Sequence, residues 1–324
     1  MEEKEPTIQA RLPYAFIMRR LHSLLGLWLI IYLLEHLFVN AQAAFFSPDH
    51  PSKFINIVNA FHSIAYLKVV EVVFLALPFL IHGIWGMRYA YTSRFNSFNN
   101  KGTSPSLPEY PKNRAFTWQR LSAWFLVLAI CAHVVQMRFM QAPRDIYEGQ
   151  TQHYLVRIEE DPGLNKLASQ LQARVYTATE IAAYWQKLEE NKLHMDEHVQ
   201  DATYYVQLNS HLDELQWLKK AEQQHLKPGQ VLVDAPSAGS AFLLVLRDTF
   251  KSPIMVVLYS IFVLAASFHA AHGLWTAMIS WGVTLSQRSQ QWMRYVTHTL
   301  MFVLVILGWT AIWGLYWRFL FQSI

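Results

Sequence analysis

Five stretches of this chain are apolar for so long that they leave little choice of environment. They run over about 21–46, 64–90, 118–140, 253–282 and 296–320. A helix needs roughly 20 apolar residues to cross a hydrocarbon core of about 30 Å, and every stretch meets that length. In lipid each backbone polar group must find its partner within the segment, so such stretches become helices. Tyr14, Tyr89, Trp118, Trp281, Trp292 and Trp317 fall near their ends, where amphipathic rings settle at a membrane interface. The expected fold is therefore an all-α membrane protein, a bundle of five transmembrane helices. Residues 1–140 hold helices one to three and 253–324 hold four and five, with an extramembrane insert at 141–252 between them. The first apolar run is too long for a signal peptide and shows no small-residue cleavage site, so it is expected to persist as a helix.

Orientation follows from the basic residues of the short loops. Lys4, Arg11, Arg19 and Arg20 precede the first span. Arg88, Arg94, Lys101, Lys112, Arg114 and Arg120 surround the second loop, and Arg288 and Arg294 the last. The first loop offers only Lys53 and Lys68. Positive-inside bias places the N terminus in the cytoplasm, and the insert and the C terminus outside. The net charge of +4 is small and dispersed, which argues against nucleic acid as a partner. With Cys131 the single cysteine, an intrachain disulfide is impossible, and no C-x-x-C-H is present for covalent haem attachment.

The insert reads as helical. A run from Thr179 through Trp185 carries Leu188, Leu193, Val199, Tyr204 and Leu208 at roughly helical spacing. A second, Leu212 to Leu226, ends at Pro228-Gly229, and Phe242 to Phe250 makes an amphipathic approach to the fourth span. The simplest reading is a solvated helical hairpin capping the bundle.

His36, His82, His133 and His269 lie deep inside four of the five spans. An imidazole in hydrocarbon leaves polar nitrogens to satisfy, so each is a functional candidate, although a lone one can simply bond a neighbouring carbonyl. Depth sorts them, at about 1.5 Å per helical residue. Outward from Arg20, His36 is reached after roughly 24 Å, and outward from Arg120, His133 after roughly 20 Å. Inward from Lys68 and Lys251, His82 and His269 are reached after roughly 21–27 Å. His36 and His133 thus share an outer layer, and His82 and His269 an inner one. Two bis-imidazole pairs suit two stacked six-coordinate b haems, which leave no open position for oxygen. Zinc or copper would need its ligands to converge on one point. His272, three residues from His269, competes with it. His22, beside Arg19 and Arg20, suits a propionate or quinone contact. His62 and His298 stand at span entrances. In the insert, His153, His194, His198, His211 and His225 lack sustained metal spacing, and His194 with His198 is a weak zinc signal at best.

These residues also carry a family resemblance. Arg19-Arg20-Leu21-His22-Ser23-Leu24-Leu25-Gly26, followed by Glu35-His36-Leu37-Phe38-Val39-Asn40, resembles the first helix of succinate dehydrogenase cytochrome b subunits of the di-haem, single-polypeptide type. Leu77-Pro78-Phe79-Leu80-Ile81-His82-Gly83-Ile84-Trp85-Gly86 resembles their second-helix ligand motif. Gln119-Arg120 with His133 and Arg138 resembles the third. Phe268-His269, Gly273-Leu274-Trp275, Trp281-Gly282 and Arg288-Ser289-Gln290 resemble the fourth helix and its following loop. The similarity covers all five spans. It implies haem ligation by His36 with His133 and His82 with His269, the pairing that depth alone gives. It further implies residence in a bacterial cytoplasmic membrane. The partners would be a flavoprotein that oxidises succinate and an iron–sulfur protein that feeds the inner haem, and the substrate a quinone, most plausibly menaquinone. The chain has neither a dinucleotide-binding glycine motif nor cysteine clusters, as befits an anchor without the dicarboxylate site. It departs from the family in three places. The insert is longer than the usual outer loop. Ser267 stands where related fumarate reductases carry a proton-conducting glutamate, and His272 where the Gram-positive proteins have asparagine.

Glu71 is the candidate for quinone chemistry, as a carboxyl placed to deliver protons near the outer haem's depth. The competing reading pairs it with Lys68. Glu35 lies nearer the interface. Arg20, Arg88 and Arg120 suit haem propionates at the inner face, though inside anchoring explains them equally well. Two other functions fit the same pattern, a cytochrome b of a hydrogenase or formate dehydrogenase and a haem-free sensor whose insert binds a ligand.

Overall fold

The computed structural model describes residues 13–45, 53–98, 102, 106–195 and 202–322. The basic residues Lys4, Arg11 and Lys101 of the orientation argument, and His198, lie outside the described residues. All five expected spans are helices long and apolar enough to cross a membrane: Tyr14–Ala43, Leu67–Thr92, Pro111–Met140, Pro253–Ser280 and Gln287–Phe321. The first is α1. The loop after it holds a short helix, α2 (Lys53–His62).

The second span is interrupted. α3 (Leu67–Glu71) passes through a π-helical turn at Val72–Ala76 into α4 (Leu77–Thr92). Pro78 explains the irregularity, because it has no N–H to donate and its ring crowds the carbonyl four residues back. That carbonyl, on Phe74, is taken instead by the Trp28 indole N–H at 2.6 Å. The third span, α5 (Pro111–Val134), also ends in a π-helical turn, Val135–Met140, closed by the Gln141 N–H on the Gln136 carbonyl at 2.9 Å.

The chain divides into two compact units. One comprises Met1–Leu33, Lys68–Phe125 and Ala266–Phe302, and the other Leu34–Leu67, Leu126–Ala265 and Val303–Ile324. The second contains the insert, which departs from the all-helical expectation. Both expected runs are largely helical, as α7 (Ala178–Met195) and α8 (Ala202–Glu222), but Tyr204 and Leu208, expected in the first, belong to α8, which ends short of Leu226; Val199 lies outside the described residues, and the amphipathic approach is α9 (Ala238–Phe250). They are joined by the short α6 (Leu164–Gln170) and by a four-stranded antiparallel sheet. Its strands are β1 (Arg144–Glu148), β2 (Thr151–Glu159), β3 (Arg174–Tyr176) and β4 (Gln230–Ala235), in the order β1-β2-β4-β3. The hairpin between β1 and β2 turns on Gly149, whose φ of 59° is left-handed.

The sheet is covered on both faces, which is why β4 carries three successive apolar residues, Val231, Leu232 and Val233, at its centre. Its side chains alternate. Val231, Val233 and Ala235 join a core with Val156, Ile158, Leu243 and Leu244. That core extends to Phe54, to Val39 and Ala43 of the first span, and to Val256, Val263, Ile312 and Leu315 of α10 (Pro253–Ser280) and α11 (Gln287–Gln322). Leu232 faces the other way and packs with Ile146 and Leu155 against Ile181 and Leu188 of α7 and Leu218 and Ala221 of α8. α9 meets α2 closely: a Cβ on Gly239 would sit 2.5 Å from the Ile55 carbonyl oxygen, while the Gly239 N–H donates to Asn59 Oδ1 at 2.8 Å.

A buried ion cluster ties the end of β2 to α9. Arg247 grips Asp161 through both guanidinium nitrogens, at 2.5 and 2.7 Å, with both side chains under a tenth exposed. Lys251 bonds Asp248 at 2.7 Å and lies 3.6 Å from Asp161. Burial alone would raise the Asp161 carboxyl, but Arg247 and Lys251 outweigh it and hold it below the usual carboxylate range.

Candidate functional site

In the first unit the structure brings the His82 and His269 rings together, nearly perpendicular to each other. Their ring centres are 6.5 Å apart and the planes cross at 84°. His82 Nδ1 lies 3.0 Å from the main-chain carbonyl of His22. A carbonyl only accepts, so that nitrogen carries the proton and Nε2 is left bare. His269 Nδ1 lies 3.4 Å from Ser122 Oγ, whose own proton goes to the Gln119 carbonyl at 3.0 Å. The Gln119 amide in turn donates to the His269 carbonyl at 3.1 Å. The same tautomer results on both rings. Gly26 makes room for His82: a Cβ there would come within 2.9 Å of the imidazole Cε1.

In the second unit His36 and His133 are arranged alike, with ring centres 6.1 Å apart and planes at 81°. His133 Nδ1 faces the Tyr259 hydroxyl at 3.1 Å, and that hydroxyl donates to Gln136 Oε1 at 3.1 Å. The His36 carbonyl accepts from Asn40 Nδ2 at 2.7 Å.

Both spacings suit a metal held between two imidazoles. Two bonds of roughly 2 Å, plus just over 1 Å from each ligating nitrogen to its ring centre, require a centre-to-centre distance of about 6.3 Å. Planes at right angles are compatible, since both can contain the bonding axis. Edge-to-face packing of bare rings gives the same spacing and interplanar angle, but turns the face of one ring towards the other. Among the described residues no group of three or more His, Cys, Asp or Glu could hold a metal ion, so a closed zinc site has no support.

His22 sits against His82 rather than apart from it. The two rings stack at 4.1 Å with planes 8° apart, and His22 Nδ1 is buried without a partner. His272 is packed against Phe116 and Phe268 at 5.2 and 5.9 Å, with both ring nitrogens buried and unpartnered. The three arginines singled out by sequence are in the same unit. Arg20 stacks on Phe16 and donates to the Ser280 carbonyl at 3.0 Å, beside a cavity of about 240 Å³ lined by Ala15, Phe16, Arg19, Arg20 and Ser280. Arg88 lies over Trp85 at 5.2 Å, and Arg120 over Phe95 at 5.1 Å with its Nε buried and unpartnered. Glu71 is half-buried and ends α3 at the π-helical turn.

Among the described residues the insert histidines make no common centre. His153 bonds the buried Asp234 at 3.2 Å, and the Trp217 indole donates to the other carboxyl oxygen at 3.2 Å. Burial raises the Asp234 carboxyl against the pull of both neighbours. The side chains that sequence reasoning missed are Ser122, Gln136 and Tyr259. Each is a polar residue within a span, and Gln136 lies one helical turn beyond His133, so a search for partners of the histidines could have found them.

The succinate dehydrogenase cytochrome b558 subunit of Bacillus subtilis (strain 168) is 22% identical to this chain over 300 residues, which cover 92% of the chain and 96% of that protein. The chain is thus a distant relative of that subunit, and its five apolar helices are consistent with a membrane anchor of that kind. No family model matches the chain, and no solved structure matches it.

Proposed function

We propose that this chain is the di-haem cytochrome b anchor of a succinate:menaquinone oxidoreductase, a subunit that carries electrons without binding the dicarboxylate. The observation that carries the reading is the repeated geometry, two imidazole pairs with ring centres 6.1 and 6.5 Å apart, one ring of each engaged at Nδ1 by a hydrogen bond. Near end-to-end similarity to a succinate dehydrogenase subunit supports it. His36 with His133 and His82 with His269 would hold two non-covalent b haems, which supply a one-electron ferric–ferrous couple when bound. Arg20, Arg88, Arg120 and His22 would meet carboxylate groups at the cytoplasmic end, where Arg120 Nε awaits an acceptor. A flavoprotein and an iron–sulfur protein would dock on that side, while the insert and the C terminus face outward.

The test is purification of the chain from membranes of its own cell. The expected result is a reduced-minus-oxidised spectrum of b-type haem, near two per chain, with a flavoprotein and an iron–sulfur protein retained. Haem with a different donor complex would point to the hydrogenase or formate dehydrogenase class. A haem-free preparation would end the electron-carrier reading.

Glu71 would deliver protons to the quinone. Glu71→Gln keeps shape and polarity but relays no proton, so both haem spectra and their reduction by succinate should persist. Reduction of menaquinone analogues should slow by about 10²-fold or more, the usual worth of a positioned acid or base. An unchanged rate makes Glu71 structural, and loss of a haem makes it support for a ligand.

A further inference from the structure

The outer pair is wired differently from the inner one. His82 gives its Nδ1 proton to a main-chain carbonyl, which no side-chain substitution can remove. His133 gives its proton to a hydroxyl, and that hydroxyl is one link of a relay. Tyr259 Oη lies 3.1 Å from His133 Nδ1 and 3.1 Å from Gln136 Oε1. Gln136 Nε2 then donates to Gln141 Oε1 at 3.1 Å, with the Thr249 hydroxyl 3.2 Å from the same oxygen. The phenol has one proton, and Gln136 Oε1 can only accept it, so towards His133 the phenol oxygen can only accept. A hydroxyl that is itself donating is a better acceptor, because successive hydrogen bonds polarise one another. The Tyr259 ring is held edge-on to Phe250 at 5.2 Å and to His133 at 5.7 Å, so the oxygen is fixed in place.

We infer that Tyr259 is the positioning residue of the outer pair: it fixes the His133 tautomer and makes that imidazole a stronger electron donor, which sets the outer haem at a lower reduction potential than it would otherwise have. The inference rests on the di-haem reading above. A hydrogen bond from the distal nitrogen of a ligating imidazole raises its basicity. A more basic axial ligand favours the ferric state, and axial ligands and their hydrogen bonds are levers on haem potential. Gln136 acts one step further out, by keeping the phenol proton turned away from His133.

The experiment is a redox titration of the intact, membrane-extracted complex, followed by haem absorbance and by low-temperature EPR of the ferric haems. The outer component is identified as the one that His36→Ala removes. In Tyr259→Phe both haems should be retained, the outer midpoint should move upward with altered ferric g-values, and the inner midpoint should stay. Gln136→Leu should move the outer midpoint the same way by less. An outer midpoint unchanged in Tyr259→Phe, or a shift confined to the inner component, overturns the inference while leaving two haems in the spectrum. If Tyr259→Phe sheds the outer haem, Gln136→Leu decides, since an upward shift upholds the relay and none overturns it. Absence of haem from the unsubstituted chain is a separate result and rejects the underlying reading.

Discussion

His36→Ala should lower the haem content of the purified chain from about two to about one, with the surviving spectrum belonging to the inner pair. On the di-haem reading each pair would supply two protein nitrogens, so losing one would remove the low-spin character of a bis-imidazole haem. Loss of a mere orienting partner costs roughly 10–100-fold in metal affinity, and a direct ligand should cost more. His133→Ala should match His36→Ala, while His82→Ala and His269→Ala should both remove the other component. Two haems remaining in His36→Ala would refute the outer assignment. His272 provides an internal control: packed between Phe116 and Phe268, it should tolerate replacement by Gln with both haems kept. The reverse result, both haems kept in His269→Ala and one lost in His272→Gln, would transfer the ligation one turn along the helix.

Arg247→Ala should open the insert. Removing one partner of a buried ion pair strands the other, at a cost of about 3–5 kcal/mol, and here Asp161 would be left with Lys251 at 3.6 Å as its nearest cation. Protease added to intact spheroplasts reads this from outside. The unsubstituted insert should be cut slowly and only at exposed loops such as 226–229, and the variant many times faster. Cleavage from the cytoplasmic side alone would invert the proposed topology. The pair also sets an acid limit. Asp161 is held below its ordinary value of 3.8 in the folded chain. Its stabilisation is therefore complete above that value and is lost as pH falls through the lower, folded one. The variant should lack this component of acid sensitivity.

The spans were legible because hydrocarbon imposes a long and simple signal, and the four histidines because nothing apolar surrounds an imidazole without consequence. Pairing them needed only helical rise. Their orienting groups were harder to read: Ser122 and Tyr259 reach His269 and His133 from other spans, and sequence spacing does not reveal such neighbours. The insert was legible only in its helices. β2 and β4 hold only short apolar centres, Tyr154-Leu155-Val156 and Val231-Leu232-Val233, covered on both faces, so they lack the strict alternation of a half-buried strand. The runs are nonetheless rich in Val, Ile and Leu and bounded by Gly149, Gly163 and Gly229, a signal that the search for helical periodicity passed over. The short α2 was absorbed into a loop, because ten residues of helix between two spans leave little pattern of their own.

The core beneath the sheet includes Ile312 and Leu315 of α11, which follow the whole insert and the fourth span in sequence. A ribosome releases the strands, α9 and the fourth span well before them. Until α11 is made, the insert therefore lacks the Ile312 and Leu315 side of its core. A chain arrested before the fifth span should carry an insert with an open apolar face, the kind of surface that quality-control proteases recognise. The insert is finished by a helix made after it.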